Sequence, residues 1–358
     1  MAIIDFISVI LEEDDSIDDK VVDLFLNLIK NKLPHVSIIT PFRNAENFIQ
    51  DTAQSIFDQS LKDWEWILVN DHSTQNENAV LADYLKDHRV KIMHNEGVGI
   101  VDALCTAQKV ISGRFITRMD ADDKMPENKL QLFVSVLQTE LCDVVTGKVN
   151  YFVDNGALSE GYKSYEKWLN AIVDNQDFYT EIYKECTLAS GNWMMKTESF
   201  LKHGGFNDLV YPEDYDLLLR WYKSNLVIKG IDKVTHFWRD HADRTSKNSA
   251  NYHQKQFFEL KINRFIEIDF CDQPIVLNGT GQKGRLVAKI LLNRNVPFEW
   301  VSHEPGKYVS GIFGQSIKEC SAICYIKPII LLNTTLIPEQ TLRTIYPKEL
   351  AIDKIINL

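Results

Sequence analysis

From residue 34 to 119 short apolar runs alternate with segments whose apolar residues recur at helical spacing. No other feature limits the fold as much. Residues 36–40 (Val-Ser-Ile-Ile-Thr) read as a buried strand that Pro41 stops, and Phe48, Ile49, Ala53, Ile56 and Phe57 mark the helix after it. Residues 64–69 make the second strand, Val80, Leu81, Tyr84 and Leu85 the second helix, and residues 90–93 the third strand. Ile100, Val101, Leu104 and Ala107 mark a third helix, and residues 114–119 a fourth strand. Alternating units of this size predict a parallel sheet covered on both faces by helices. Such sheets bind ligands beyond the carboxyl ends of their strands. The polar residues standing there are Arg43 and Asn44, then Asn70 and Asp71, then Asp120 to Asp123.

The 358 residues are enough for two domains at roughly 100–200 residues each. Residues 1–33 form an acidic extension in which Val21, Val22, Leu24, Phe25, Leu28 and Ile29 give one apolar helical face. Residues 34–268 make the main α/β domain. A compositional break near residues 269–274 opens a small Rossmann-like α/β domain over 269–358. The formal charge of −11 excludes a general nucleic-acid binder, which needs a basic footprint. No apolar run approaches the ~18–20 residues of a membrane span, and no secretory signal is visible. The six scattered cysteines form no CxxC pair. These features predict a cytoplasmic protein, with peripheral docking at the cytoplasmic face of a membrane compatible with them.

Four motifs can carry chemistry. Asp120, Asp122 and Asp123 form a DxD-type turn after a buried strand, where carboxylates with phosphate oxygens suit Mg²⁺ or Mn²⁺. A solvated acidic turn is the bland alternative. Gly204 and Gly205 precede Pro212, Glu213 and Asp214, which would open a helix. A carboxylate in that first turn is stabilised as the anion, as a general base requires, although such acids often serve only as caps. Asp216 and Arg220 are spaced to pair on one helix face. Residues 237–247 gather Arg239, His241, Arg244 and hydroxyls into a candidate anion clamp, with His241 a candidate metal ligand. Finally, Gly279, Gly281 and Gly284 form a G-x-G-x-x-G turn between a strand and a helix, a candidate nucleotide-binding turn, with Glu304 near the acid such a site expects.

These motifs, in this order, resemble the family 2 glycosyltransferases of the GT-A fold over about residues 34–265. The matching text is Val36 to Ala45 around Pro41, Arg43 and Asn44; Asn70, Asp71, Ser73 and Thr74; Gly99 to Leu104; Arg118 to Asp123; and Pro212 to Tyr215. Trp168-Leu-Asn170, Trp238-Arg-Asp240 and the Gly-rich tail are similar to the β-1,3-N-acetylglucosaminyltransferase-like subgroup. The resemblance implies an inverting hexosyl- or N-acetylhexosaminyltransferase that uses a nucleotide-sugar donor, a UDP-sugar at family level, and Mn²⁺ or Mg²⁺. It implies a glycan or lipid-linked acceptor, in surface polysaccharide or glycoconjugate synthesis. It assigns Pro41, Arg43, Asn44 and Asp71 to the nucleotide pocket and Asp120 to the ribose or sugar. Asp122 goes to the metal, Arg244 and His241 to the segment that closes over the diphosphate, and Asp214 to the catalytic base. Trp168, Trp193, Tyr211 and Trp221 are candidates to stack sugars, or simply core.

Two departures from the family pattern stand out. Asn70 precedes Asp71 where the family usually has two acids, and residues 189–193 replace a His-Pro-Ser stretch of the subgroup. Two other readings compete: a non-catalytic nucleotide-sugar-binding GT-A module, and a bifunctional chain whose tail binds NAD.

Overall fold

A computed structural model describes residues 35–207 and 210–358. The extension expected over residues 1–33 lies outside the described residues. The described chain falls into two compact units, one of residues 35–176, 188–207 and 224–241, the other of 177–187, 210–223 and 242–358. No described helix is long and apolar enough to cross a membrane.

The first unit runs β1 (Val36–Phe42), α1 (Ile49–Phe57), β2 (Trp64–Asn70), β3 (Val90–His94), α2 (Ile100–Gln108), β4 (Phe115–Arg118) and α3 (Lys129–Thr139). It continues with β5 (Val144–Phe152), α4 (Glu160–Asn175), β6 (Trp193–Lys196), α5 (Thr197–Lys202) and β7 (Ile228–Arg239). Its seven strands lie in the order β3-β2-β1-β4-β6-β5-β7. The first four strands are mutually parallel, and β6 runs antiparallel to both neighbours. Every residue of β1 and β4 is buried, as expected of strands covered on both faces. The chain moves outward from β1 to β2 and β3, then returns to β4 on the other side. The crevice between the ends of β1 and β4 is therefore the switch point where such sheets bind ligands.

Two expectations need correcting. Pro41 does not end β1. Met119 N–H donates to Ile39 O, and Asp71 N–H donates to Phe42 O. Ile39 and Pro41 therefore face β4, while Phe42 faces β2. Since β4 ends at Arg118, opposite Ile39, the missing N–H of Pro41 falls where no ladder bond is required. The second predicted helix is only a turn, Glu77–Val80, followed by a 3₁₀ turn, Tyr84–Lys86. Val80, Leu81, Tyr84 and Leu85 still reach the core around Trp64 and Phe115, so the burial that drives the segment is met without a continuous helix.

The second unit contains α6 (Glu213–Lys223), α7 (Gln254–Ile268), β8 (Ile275–Asn278), α8 (Gln282–Asn293), β9 (Phe298–Val301), β10 (Ile317–Lys318), β11 (Ile329–Asn333), α9 (Glu339–Ile345) and β12 (Ile352–Asn357). Its five strands are parallel, in the order β10-β9-β8-β11-β12. The core on one face comprises Val276, Val301, Ile329, Leu331, Leu342 and Tyr346.

Candidate functional site

At the rim of the first unit, the register brings the ends of β1, β2 and β3 level: Phe42 stands opposite Asn70, and Asn70 opposite His94. The acid just beyond β2, Asp71, is nearly buried. It accepts hydrogen bonds from Asn95 Nδ2 at 2.6 Å and Gly99 N–H at 2.9 Å. Asn44, exposed and in a left-handed conformation (φ 53°), joins the loops after β1 and β2. Its N–H donates to Ser73 Oγ (2.8 Å), and its Oδ1 accepts from Thr74 N–H (2.8 Å). Arg43 is exposed beside it, and Pro41 is buried.

The turn after β4 is held from several directions. Asp120 accepts from Arg118 Nε at 2.6 Å on one oxygen and from Ser190 Oγ at 2.8 Å on the other. Asp122 Oδ2 lies 2.8 Å from His241 Nε2, and the His241 ring rests on Phe48 with centroids 4.2 Å apart. Asp123 is buried, accepting from Arg239 N–H at 2.8 Å and meeting His236 Nε2 at 2.9 Å. From α1, buried Thr52 donates through Oγ1 to the carbonyls of Ala121 (2.9 Å) and Asp123 (2.7 Å). Asp122 and Asp120 thus project from a turn whose backbone and third acid are locked. Burial is what distinguishes the roles: Asp123 builds the turn, while Asp120 and Asp122 retain solvent access.

Arg239, at the end of β7, is 2 % exposed. Its Nε donates to Asp122 O (2.7 Å), one terminal nitrogen to Asp51 (2.7 Å), and the other to Asp154. Burial works against its charge, but the bonds to Asp51 and Asp154 outweigh it and raise its pKa. In turn the Arg239 guanidinium holds the Asp51 carboxyl below its ordinary value. Behind the turn, Lys129 is wholly buried and donates to Gly191 O at 2.7 Å. Burial pushes its pKa down to about 7, opposed by the attraction of Asp123 and Asp120. Among the described residues no cluster of three or more His, Cys, Asp or Glu side chains could hold a metal ion. Asp122 and His241 form a two-donor pair, which fits a divalent ion that takes its other ligands from a diphosphate and water.

In the second unit, Pro212 stands just before α6, and its carbonyl accepts from Asp216 N–H at 3.0 Å. Asp214, in the first turn, is partly exposed, and its Oδ1 accepts from Tyr215 N–H. Glu213 is buried and bonded by Tyr252 Oη. Asp216 is fully buried. Burial raises its pKa, opposed by Arg264, whose Nη2 lies 2.6 Å away; Arg220 Nε is 3.6 Å off. Arg244 caps the short helix Thr245–Asn248, its carbonyl accepting from Lys247 N–H at 3.0 Å.

The family model "Glycosyl transferase family 2" matches residues 37–204. The UDP-Glc:alpha-D-GlcNAc-diphosphoundecaprenol beta-1,3-glucosyltransferase WfgD of Escherichia coli is 26% identical over 246 residues, covering 67% of this chain and 88% of WfgD. A Bacillus subtilis (strain 168) protein named as a teichuronic acid biosynthesis glycosyltransferase, TuaG, is 36% identical over 114 residues, covering 31% of this chain and 45% of that relative. The fold is similar to that of S. aureus TarS 1-349 in complex with UDP-GlcNAc, with a TM-score of 0.50, 19% identity, and coverage of 72% of this chain and 71% of that one. Over residues 37–204 the chain thus carries the sequence of a family 2 glycosyltransferase domain. It is a glycosyltransferase with the GT-A fold.

Within this glycosyltransferase the structure brings Pro41, Arg43, Asn44, Asp71, Asp120, Asp122 and His241 into the first unit and places Asp214 and Arg244 in the second. One sequence reading changes: Arg239 is 2% exposed and gives three of its five N–H donors to Asp51, Asp154 and Asp122 O, so it locks the turn instead of presenting an open anion clamp. Trp193 and Trp221 are core rather than sugar platforms, at 2% and 1% exposure, whereas Trp168 and Tyr211 keep partial exposure. Sequence reasoning missed Lys129, His236 and Thr52, and marked the segment holding Ser190 only as a departure from the family pattern. Lys129 left a trace, since it shares a buried stripe with Phe133 at i,i+4 spacing, where a lysine is out of place.

Proposed function

We propose that this glycosyltransferase moves a hexosyl or N-acetylhexosaminyl unit from a UDP-sugar to a hydroxyl of a glycan or lipid-linked acceptor. We assign it to surface polysaccharide or glycoconjugate synthesis at the cytoplasmic face of a membrane. The names of WfgD and TuaG motivate the donor class, the lipid-linked acceptor and the pathway class. The observation that carries the reading is Asp122 Oδ2 at 2.8 Å from His241 Nε2, on a turn locked by Thr52, Arg239 and Asp123, with Asp120 held beside it by Arg118 and Ser190.

Asp122 and His241 would hold Mn²⁺ or Mg²⁺, whose positive charge offsets that developing on the leaving diphosphate. Asp71 would receive the base at the end of β2, with Pro41, Arg43 and Asn44 lining the nucleotide pocket. Asp120 would orient the ribose or donor sugar, and Arg244 would contact the diphosphate. Asp214, in the first turn of α6 where the helix dipole favours the anion, would take the proton from the acceptor hydroxyl. That oxygen then attacks the anomeric carbon opposite the departing diphosphate, so an α-linked donor gives a β-linked product. A thermal-shift screen of UDP-, GDP- and dTDP-sugars, each with and without Mn²⁺, tests the reading. Stabilisation by a UDP-sugar that requires Mn²⁺ supports it; equal shifts without the ion contradict it.

A further inference from the structure

The glycine-rich turn of the second unit lies outside the transferase machinery, and its geometry divides its three glycines by task. Gly279 has φ +107°, a conformation that favours glycine. A Cβ on Gly284 would sit 2.1 Å from Gly279 O, so the third glycine permits helix and strand to close on each other. A Cβ on Gly281 would meet nothing within 4 Å. This middle glycine therefore faces open space at the start of α8, a twelve-residue helix. The first helical bond of α8 runs from Arg285 N–H to Gly281 O, which leaves the amides of Gln282, Lys283 and Gly284 without partners inside the helix. No acid occupies the first turn of α8, and Lys283 and Arg285 lie within it.

A second observation concerns Asn278, the last residue of β8, which is fully buried. Asn278, Asn333 and Asn357 end the adjacent strands β8, β11 and β12 in register. Asn278 Nδ2 donates to Asn333 Oδ1 at 3.0 Å, and Asn333 Nδ2 to Asn357 Oδ1 at 2.8 Å. The orientation of this ladder is fixed, because Asn333 Oδ1 also accepts from Thr335 N–H (3.1 Å), which cannot be anything but a donor. The branch of Asn278 facing β11 is therefore its NH₂. Its Oδ1 is the other branch, turned away from Asn333, on the residue that immediately precedes the glycine turn. Among the described residues that oxygen is buried with no hydrogen-bond partner. An acceptor left so is costly unless a donor arrives. Two further buried hydroxyls follow β8 and β9, Thr280 Oγ1 and Ser302 Oγ, 3.5 Å apart and too far for a good bond to each other; Ser302 Oγ also accepts from Glu304 N–H at 3.2 Å.

We propose that the second unit binds a single nucleotide: its phosphate on the amides at the start of α8 over Gly281, and a ribose hydroxyl or base amine on Asn278 Oδ1. A phosphate seated on those amides is used as an acceptor, whereas a nucleotide also brings ribose hydroxyls and base amines as separate donors for that oxygen, so the ligand carries both groups. The place is the switch point of the sheet, between β8 and β11. Two features favour one nucleotide over NAD. The position just after β9, where a dinucleotide site carries an acid for the ribose, holds Ser302. Glu304, the sequence candidate for that acid, is exposed and paired with Lys307 at 2.6 Å. The five strands also stop one short of the six that make two complete mononucleotide-binding halves.

Hydrogen exchange of the full chain, read by mass spectrometry at residues 279–285 and 302–304, separates this site from the transferase site. ADP, UDP and inorganic phosphate serve as probes. ADP or UDP at about ten times its Kd should slow exchange there about tenfold, and phosphate should do less. Gly281→Val puts a side chain into the open space and should abolish the effect. Asn278→Leu, which leaves Asn333 Oδ1 its bonds from Thr335, should reduce the nucleotide effect to that of phosphate. The proposal is overturned if neither nucleotide slows exchange at these peptides. It is equally overturned by protection that survives both substitutions, or by phosphate alone matching the nucleotides.

Discussion

Lys129 makes a quantitative prediction about the scaffold behind the Asp120 to Asp123 turn. Its ammonium is wholly buried, with Gly191 O at 2.7 Å, and burial lowers its pKa from 10.5 to about 7. Below about pH 7 both folded and unfolded chains carry the proton, so this residue adds no pH dependence. Above pH 7 the folded chain releases the proton first while the unfolded chain keeps it until about pH 10.5, so the unfolded state binds more protons and stability rises with pH. Each pH unit in that window is worth about 1.4 kcal/mol, and from pH 7.5 to 9.5 the gain is about 2.5 kcal/mol. Lys129→Met keeps the bulk and removes the titration. Native-state amide exchange at β4 and β6, corrected for intrinsic rates, measures the opening free energy of the first unit at each pH. Wild type should gain about 2.5 kcal/mol on the variant across the window. Parallel pH profiles for the two chains would refute the burial argument.

Two further substitutions probe the site. Asp214→Asn should lower kcat by about 10²-fold or more while leaving donor Kd within twofold by calorimetry, because only the proton acceptor is lost; equal loss of binding would remove Asp214 from the base role. Arg239→Gln should destabilise the first unit by about 2 kcal/mol in the same exchange experiment, less than for a fully buried pair because Asp51 and Asp154 are each about half exposed. A change below about 0.5 kcal/mol would mean that Arg239 does not lock the turn.

The sheet of the first unit was legible because strands buried on both faces read as near-continuous apolar runs. What was illegible depended on neighbours far along the chain. Pro41 looks like a strand stop until β4 is seen to end opposite Ile39. Arg239 and Arg244 look alike in sequence, yet Arg239 meets Asp51 and Asp154, both distant in the chain. Nothing local to His236 announces its bond to Asp123, 113 positions away. In the tail, Gly279 and Gly284 were readable because each answers a local backbone or packing demand. The vacant acceptor of Asn278 was not, since it follows from a ladder across three strands.

The claim on which the functional account rests is that Asp122 and His241 act together on a donor diphosphate. The direct measurement is UDP release from a UDP-sugar by wild type, Asp122→Ala and His241→Ala over a Mn²⁺ titration. The account predicts Mn²⁺-dependent release by wild type, and in both variants a rise of tenfold or more in the Mn²⁺ needed for half-maximal rate. Release that is independent of Mn²⁺, or variants that track wild type across the titration, would contradict it.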